Sequence, residues 1–214
     1  MTKVDVLDKG FLKLVDVMGS DKSIVNSARI SFAKQVEEIG PKDEKLIKYL
    51  WEHKHTSPFR HATLQFHIKA PLFVLRQWMK HQVGCAWNEV SGRYVVFDAE
   101  FYMPNTWREQ HESNKQGSKG AIENQAGANL LYIDSMHFAI QRYLELLDLG
   151  VCKEQARMVL PLSLYTECYW TVSLQAMMHF LTLREDSHTQ LEIQEYAKAI
   201  RQLSTPHFPI SLSL

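Results

Sequence analysis

The chain has 214 residues, 45% of them hydrophobic, which is enough for one domain with a sizeable core. Lys plus Arg and Asp plus Glu both total 24, so the net charge is zero and a large polyanion such as nucleic acid is not an expected partner, though a small anion held by a local cluster is compatible. No run of about 18 apolar residues spans a membrane, MTKVDVLDKGF lacks the apolar stretch of a secretory leader, and three cysteines without a CxxC pair point to a reducing, cytoplasmic setting.

Residues 3–7 and 11–17 alternate apolar and charged positions around Lys9-Gly10, which predicts short strands or a hairpin. Ser23 to Arg29 reads as a short helix. Asp43 to Trp51 is predicted helical, with Leu46, Ile47, Leu50 and Trp51 on one face. From His61 to Ala70 the alternation is strict: Ala62, Leu64, Phe66, Ile68 and Ala70 point one way, and His61, Thr63, Gln65, His67 and Lys69 the other. That is a strand with one face in the core. Pro71 suits the first turn of a helix continuing through LFVLRQWMKHQ to Gln82.

Residues 103–127 are polar and Gly-rich and are expected to form a mobile loop, a candidate lid. Asn129 to Leu149 predicts a long amphipathic helix closed by Gly150, and Lys153 to Met158 a short one stopping before Pro161. Glu167 to Leu174 fits a strand, with Tyr165, Tyr169 and Trp170 as a core stripe. Gln175 to Arg184 and Gln190 to Leu203 complete the helices. The expected class is α+β in a single domain, 1–214, with a mixed or antiparallel sheet packed by helices.

The stretch Arg76 to Tyr94, RQWMKHQVGCAWNEVSGRY, carries the densest chemistry. It sets Arg76, Lys80, His81 and Arg93 beside Gln77, Gln82, Asn88, Glu89 and Ser91. Cations bind phosphate, Ser and Gly let backbone approach an anion, and amides read a base edge. A nucleotide site accounts for the set; an amphipathic helix followed by a polar loop accounts for it equally. None of the ten histidines stands in a zinc spacing such as HExxH, so no metal is expected.

The chain also resembles the flavin-dependent thymidylate synthases. The resemblance rests on LDKGFLKLVDVMGSD, SARISF, HTSPFRH, FHIKAPLFVLRQW, NEVSGRY, EFYMP and EQARMVLPLSLYTECYWTVSLQAMMHFLTLREDSHTQLEIQEYA, in that order. The family signature is Arg-His-Arg, seven residues, then Ser. Here Lys80-His81-Gln82 stands in its place, and eight residues, Val83 to Val90, precede Ser91. The additional residue is expected to loop out within GCAW. Other departures are Ser57 for a common Thr, Arg60 for a frequent Glu, and Ser173, Gln175 and His179 where close relatives have Asn, Arg and Asn.

What the resemblance implies is the thymidylate synthase fold of that family and reductive methylation of dUMP to dTMP. Methylenetetrahydrofolate would give the carbon, and NADPH would reduce an FAD cofactor. Position by position, it assigns dUMP to Gln77, Lys80, Glu89, Ser91, Gly92, Arg93, Arg157 and Arg184. Arg184, lying against the uracil edge, would be catalytic. It assigns FAD to His55, Ser57, Lys80, His81, Gln82, Glu89, Ser173, Gln175, His179 and His188. His188 follows Arg184 by four and would share its helix face if the helix continued. Cys85 is the cysteine nearest the motif, with a plain packing role the simpler reading.

The resemblance further implies a homotetramer with sites shared between subunits. Leu72, Phe73, Val74, Trp78 and Met79 give the motif helix more apolar surface than one small core needs, which fits that assembly. Two other functions remain open at this point. One is a flavin-dependent relative modifying C5 of another pyrimidine nucleotide; the other is a non-catalytic nucleotide-binding homologue.

Overall fold

The strictly alternating stretch becomes the middle strand of the sheet. In the computed structural model, which describes residues 2–97, 100–114 and 117–214, strand β3 spans Thr63–Pro71. Leu64, Phe66, Ile68 and Ala70 on its inner face are at most 1% exposed. Burying each of the larger ones contributes about 2 kcal/mol. β3 pairs antiparallel with β2 (Gly10–Met18), which pairs with β1 (Lys3–Val6). On its other side lies β7 (Tyr165–Ser173), with Thr63 opposite Ser173 and Pro71 opposite Tyr165. The fifth strand, β4 (Cys85–Glu89), closes the order β1-β2-β3-β7-β4.

Helices α1 (Asp21–Arg29) and α2 (Pro41–Glu52) follow the hairpin. Gly40 N–H donates to Asp43 Oδ2 at 3.0 Å, fixing the start of α2. A 3₁₀ turn, Ser57–His61, leads into β3. α3 (Leu72–Trp78) begins after Pro71, which is its N-cap rather than a residue of its first turn. The N–H groups of Leu72 and Phe73 donate to Leu164 and Leu162 carbonyls at 2.9 Å, satisfying two of the donors a helix start leaves open. α3 stops at Trp78, not Gln82, because Lys80 and His81 N–H bond back three residues, to Gln77 and Trp78.

Segment 103–127 carries more order than a loop. β5 (Arg108–Gln110) and β6 (Ser118–Ala121) form a hairpin, with Lys115 and Gln116 outside the described residues. It is held from outside: Arg108 Nη2 donates to the buried Glu192 at 2.9 Å, and Trp107 Nε1 to Asn129 at 2.6 Å. α4 (Gln125–Asp148) ends where Gly150 adopts φ +84°, a left-handed conformation that suits glycine. α5 (Lys153–Ala156), α6 (Leu174–Arg184) and α7 (Leu191–Ser204) complete the chain's helices.

The core lies between the inner sheet face and the helices α1, α2, α3, α6 and α7. Trp78, Trp170, Phe180 and Tyr196 meet there, with ring centroids 5.1–5.7 Å from Trp78. Tyr169 is not part of it. One position along β7 from Trp170, it points to the opposite face, is 44% exposed, and stacks on His67 at 4.9 Å.

The surplus apolar surface lies elsewhere than expected. Val74, Leu75 and Trp78 of α3 are absorbed into this subunit's own core. On α4, only Ala139 and Tyr143 are buried, while Leu130, Leu131 and Phe138 are more than half exposed. Among the described residues no helix is long and apolar enough to cross a membrane.

Candidate active site

β4 and β7 fix the geometry of the site. Their register is regular from Cys85 opposite Val172 to Glu89 opposite Cys168. Before the strand the chain turns from Met79 to Gly84, and Gly84, the first residue of GCAW, has φ +74°. A Cβ there would meet Ser173 Oγ at 2.8 Å, and Ser173 N–H donates to the Gly84 carbonyl at 2.8 Å. Only glycine combines that backbone with so close an approach. Cys85 ties the turn off, its thiol donating to the His81 carbonyl at 2.9 Å.

This turn lines a cavity of about 520 Å³. Lys80, His81, Gln82, Ser173, Gln175 and His179 all face it, so these sequence-derived positions are brought together. Arg60, Cys85, Trp170, Val172 and Ala176 line it as well. The strand pattern carries the signal for Trp170 and Val172, which alternate on one side of β7; Arg60 stands out in the sequence only as a departure from the family's frequent Glu. Ser173 also caps α6, its Oγ accepting from Ala176 N–H at 3.3 Å. His55 and Ser57 lie on the strap before β3 and are not among the residues lining this cavity.

A second cleft, of about 590 Å³, is lined by Gln77, Arg184, His188 and Gln190 among others. Gln77 Nε2 donates to Gln190 Oε1. Gln190, the residue that precedes α7, meets Gln77 across 113 positions, too far for any local pattern to mark the pair. His188 does not share a helix face with Arg184. α6 ends at Arg184, and His188 sits in the following turn with Nδ1 2.9 Å from Asp186 Oδ1.

Arg184 joins the two cavities: its Nε donates to His81 Nε2 at 3.0 Å. Burial lowers Arg184 from its ordinary value, so negative charge placed beside it is favoured. Burial, then the Arg184 charge, then His179 push His81 from 6.5 down to about 4. His81 is therefore a neutral acceptor at physiological pH. Between pH 6.5 and about 4 the unfolded chain binds a proton at this position that the folded chain excludes. Stability from this contact is thus complete above that window and is lost as the pH falls through it. His81→Gln should flatten the acid-side fall in unfolding midpoint between those limits; an unchanged slope would contradict the assignment.

The remaining positions lie at the far end of β4, four residues and about 13 Å along the strand from Cys85. Gly92 is buried against Phe97 and Arg157, where a Cβ would meet Phe97 at 2.1 Å and Arg157 Cδ at 3.2 Å. Ser91 Oγ accepts from Arg93 N–H at 3.3 Å. Arg93 lies 3.8 Å from Glu154. Glu89 pairs with neither Arg76 nor Arg93: burial raises its carboxyl, opposed by the Thr166 hydroxyl and the Arg157 charge.

Cys168 offers no competing nucleophile. Burial, then Glu89 and Glu167, push the Cys168 thiol up to about 12, and Cys152 is exposed beside α5.

The profile of the family described as thymidylate synthase complementing protein matches residues 13–210. A flavin-dependent thymidylate synthase of Kosmotoga olearia is 44% identical over 212 residues, covering 98% of this chain and 91% of that one. The chain belongs to the flavin-dependent thymidylate synthase family. A Thermus thermophilus member is 45% identical over 208 residues, 97% of this chain and 76% of its own. A UMP/dUMP methylase, PolB from Streptomyces cacaoi, solved with 5-Br dUMP, superposes with a TM-score of 0.87 at 31% identity, covering 98% of this chain and 96% of that one.

Proposed function

We propose that this chain catalyses reductive methylation of dUMP to dTMP, with methylenetetrahydrofolate as carbon donor, NADPH as reductant and FAD as cofactor. The observation that carries this reading is the Arg184–His81 contact, which joins the 520 Å³ cavity to the cleft of Gln77. The family membership and the 5-Br dUMP bound to the related methylase support it.

The residues fit a flavin nucleotide. The cavity combines an apolar wall of Trp170, Val172 and Ala176, two cations, Arg60 and Lys80, and the approach left open by Gly84. Lys80, His81, Gln82, Ser173, Gln175 and His179 would hold it. Flavin supplies hydride chemistry that side chains cannot perform. Arg184 would polarise the uracil, while Gln77 positions the nucleotide and Ser91, Gly92, Arg93 and Arg157 take its phosphate.

The two groups of nucleotide residues stand at opposite ends of β4. We assign them to sites completed between subunits of a homotetramer, for which the exposed apolar side of α4 supplies contact area. The setting is cytoplasmic, in keeping with three cysteines outside any disulfide.

The test incubates the FAD-loaded protein with methylenetetrahydrofolate, NADPH and, separately, dUMP, UMP and dCMP. Formation of dTMP from dUMP is expected. Turnover of UMP or dCMP without dTMP formation would establish a different pyrimidine substrate. Neither flavin uptake nor turnover would identify a non-catalytic homologue.

A further inference from the structure

The flavin cavity contains a guanidinium that the signature does not provide. Arg60 sits on the 3₁₀ turn Ser57–His61, and its Nε donates to Gln175 Oε1 at 2.5 Å. Both side chains line the 520 Å³ cavity. The sequence resemblance places Glu at 60 and Arg at 175 in relatives. In this chain the cavity's arginine stands on the turn before β3, facing Gln175 of α6.

The hydrogen bond leaves Arg60 with a fork to offer. Gln175 engages Nε alone; Nη1 and Nη2 make no hydrogen bond or ion pair with any described residue. Fixing one edge of a planar guanidinium orients the other for two parallel bonds to a phosphate. Lys80 contributes only a point charge, and Gln82 none. No carboxylate among the described residues lies within salt-bridge distance of Arg60 to compete for it.

We infer that Arg60, oriented by Gln175, binds the phosphates of the flavin nucleotide in place of the arginines missing from Lys80-His81-Gln82. This rests on the flavin reading above. Arg60 is a binding residue and takes no part in the chemistry.

The test is titration of FAD and of riboflavin, which lacks the phosphates, into apoprotein carrying Arg60→Ala, followed by flavin fluorescence. Arg60 is exposed, so the variant is expected to fold. FAD affinity should fall on the order of 10-fold, the scale of one charge-assisted pair, with riboflavin affinity unchanged. Unchanged FAD affinity overturns the assignment, as does equal weakening of both ligands, which would make Arg60 a support for the turn. A wild-type chain that takes up neither flavin overturns this assignment together with the flavin reading; either of the first two results leaves that reading standing.

Discussion

Arg184→Ala should lower kcat for dTMP formation about 10²–10³-fold, the usual loss on removing a donor aimed at developing charge. FAD affinity should remain near the wild-type value. The Arg184 side chain is only partly engaged. Its Nε is engaged by His81, so the guanidinium is held at one edge only. No carboxylate among the described residues lies within salt-bridge distance of it, and burial has already lowered its pKa. Negative charge on a pyrimidine placed in the cleft would relieve that cost, and relief felt in the transition state appears in kcat rather than in KM.

Arg184→Lys should fall between the two, keeping the charge but losing the planar fork that lets one edge meet His81 while the other meets the ring. Steady-state kinetics beside flavin titration separate the outcomes. Unchanged kcat in Arg184→Ala would remove the activating role. Parallel loss of flavin and turnover would instead make Arg184 a prop for His81.

How far the sequence could be read depended on the range of the forces involved. β3 was legible because its alternation is local and one face is wholly buried. α4 was legible from its length and Gly150, yet its apolar side faces outward, since a periodic pattern does not say what it packs against. β4 was missed. CAWNE is five residues long and borrows its order from pairing with β7, about 80 positions later in the chain. The hairpin Arg108–Gln110 with Ser118–Ala121 was missed for a related reason: its residues have little strand propensity and are held by Arg108–Glu192 and Trp107–Asn129.

Within the site, residue chemistry picked out Lys80, His81 and Gln82, whereas Ser173, Gln175 and His179 came from the resemblance alone. Arg60 meets Gln175 across 115 positions, a contact set by the docking of the 3₁₀ turn against α6. His188 shows the reverse case. The four-residue spacing puts Arg184 and His188 on one face only if the helix continues, and α6 ends at Arg184, with Thr189 N–H bonded to the Asp186 carbonyl at 3.0 Å in the turn that follows.

The distribution of the nucleotide residues leads to the last expectation: Arg93→Ala and Arg184→Ala should each be nearly inactive alone and should regain activity when mixed. The Ser91–Arg93 loop packs on Arg157 beyond the end of β4, and Arg184 sits at the other end, tied through His81 to Cys85. If a subunit contributes its loop to one site and its Arg184 to another, a tetramer holding both variants contains some sites with both arginines intact. Random assortment makes that roughly a quarter of them. Co-refolding the variants in equal amounts should therefore restore about a quarter of wild-type turnover, while either variant refolded alone stays inactive. The recovery needs no new contact, only assembly, so it should vanish when Leu131→Glu, a change on the exposed side of α4, blocks association. Mixed protein no more active than its parents, with tetramers present by light scattering, would place both arginines in one subunit's site. A single nucleotide would then have to bridge the length of β4 within one chain.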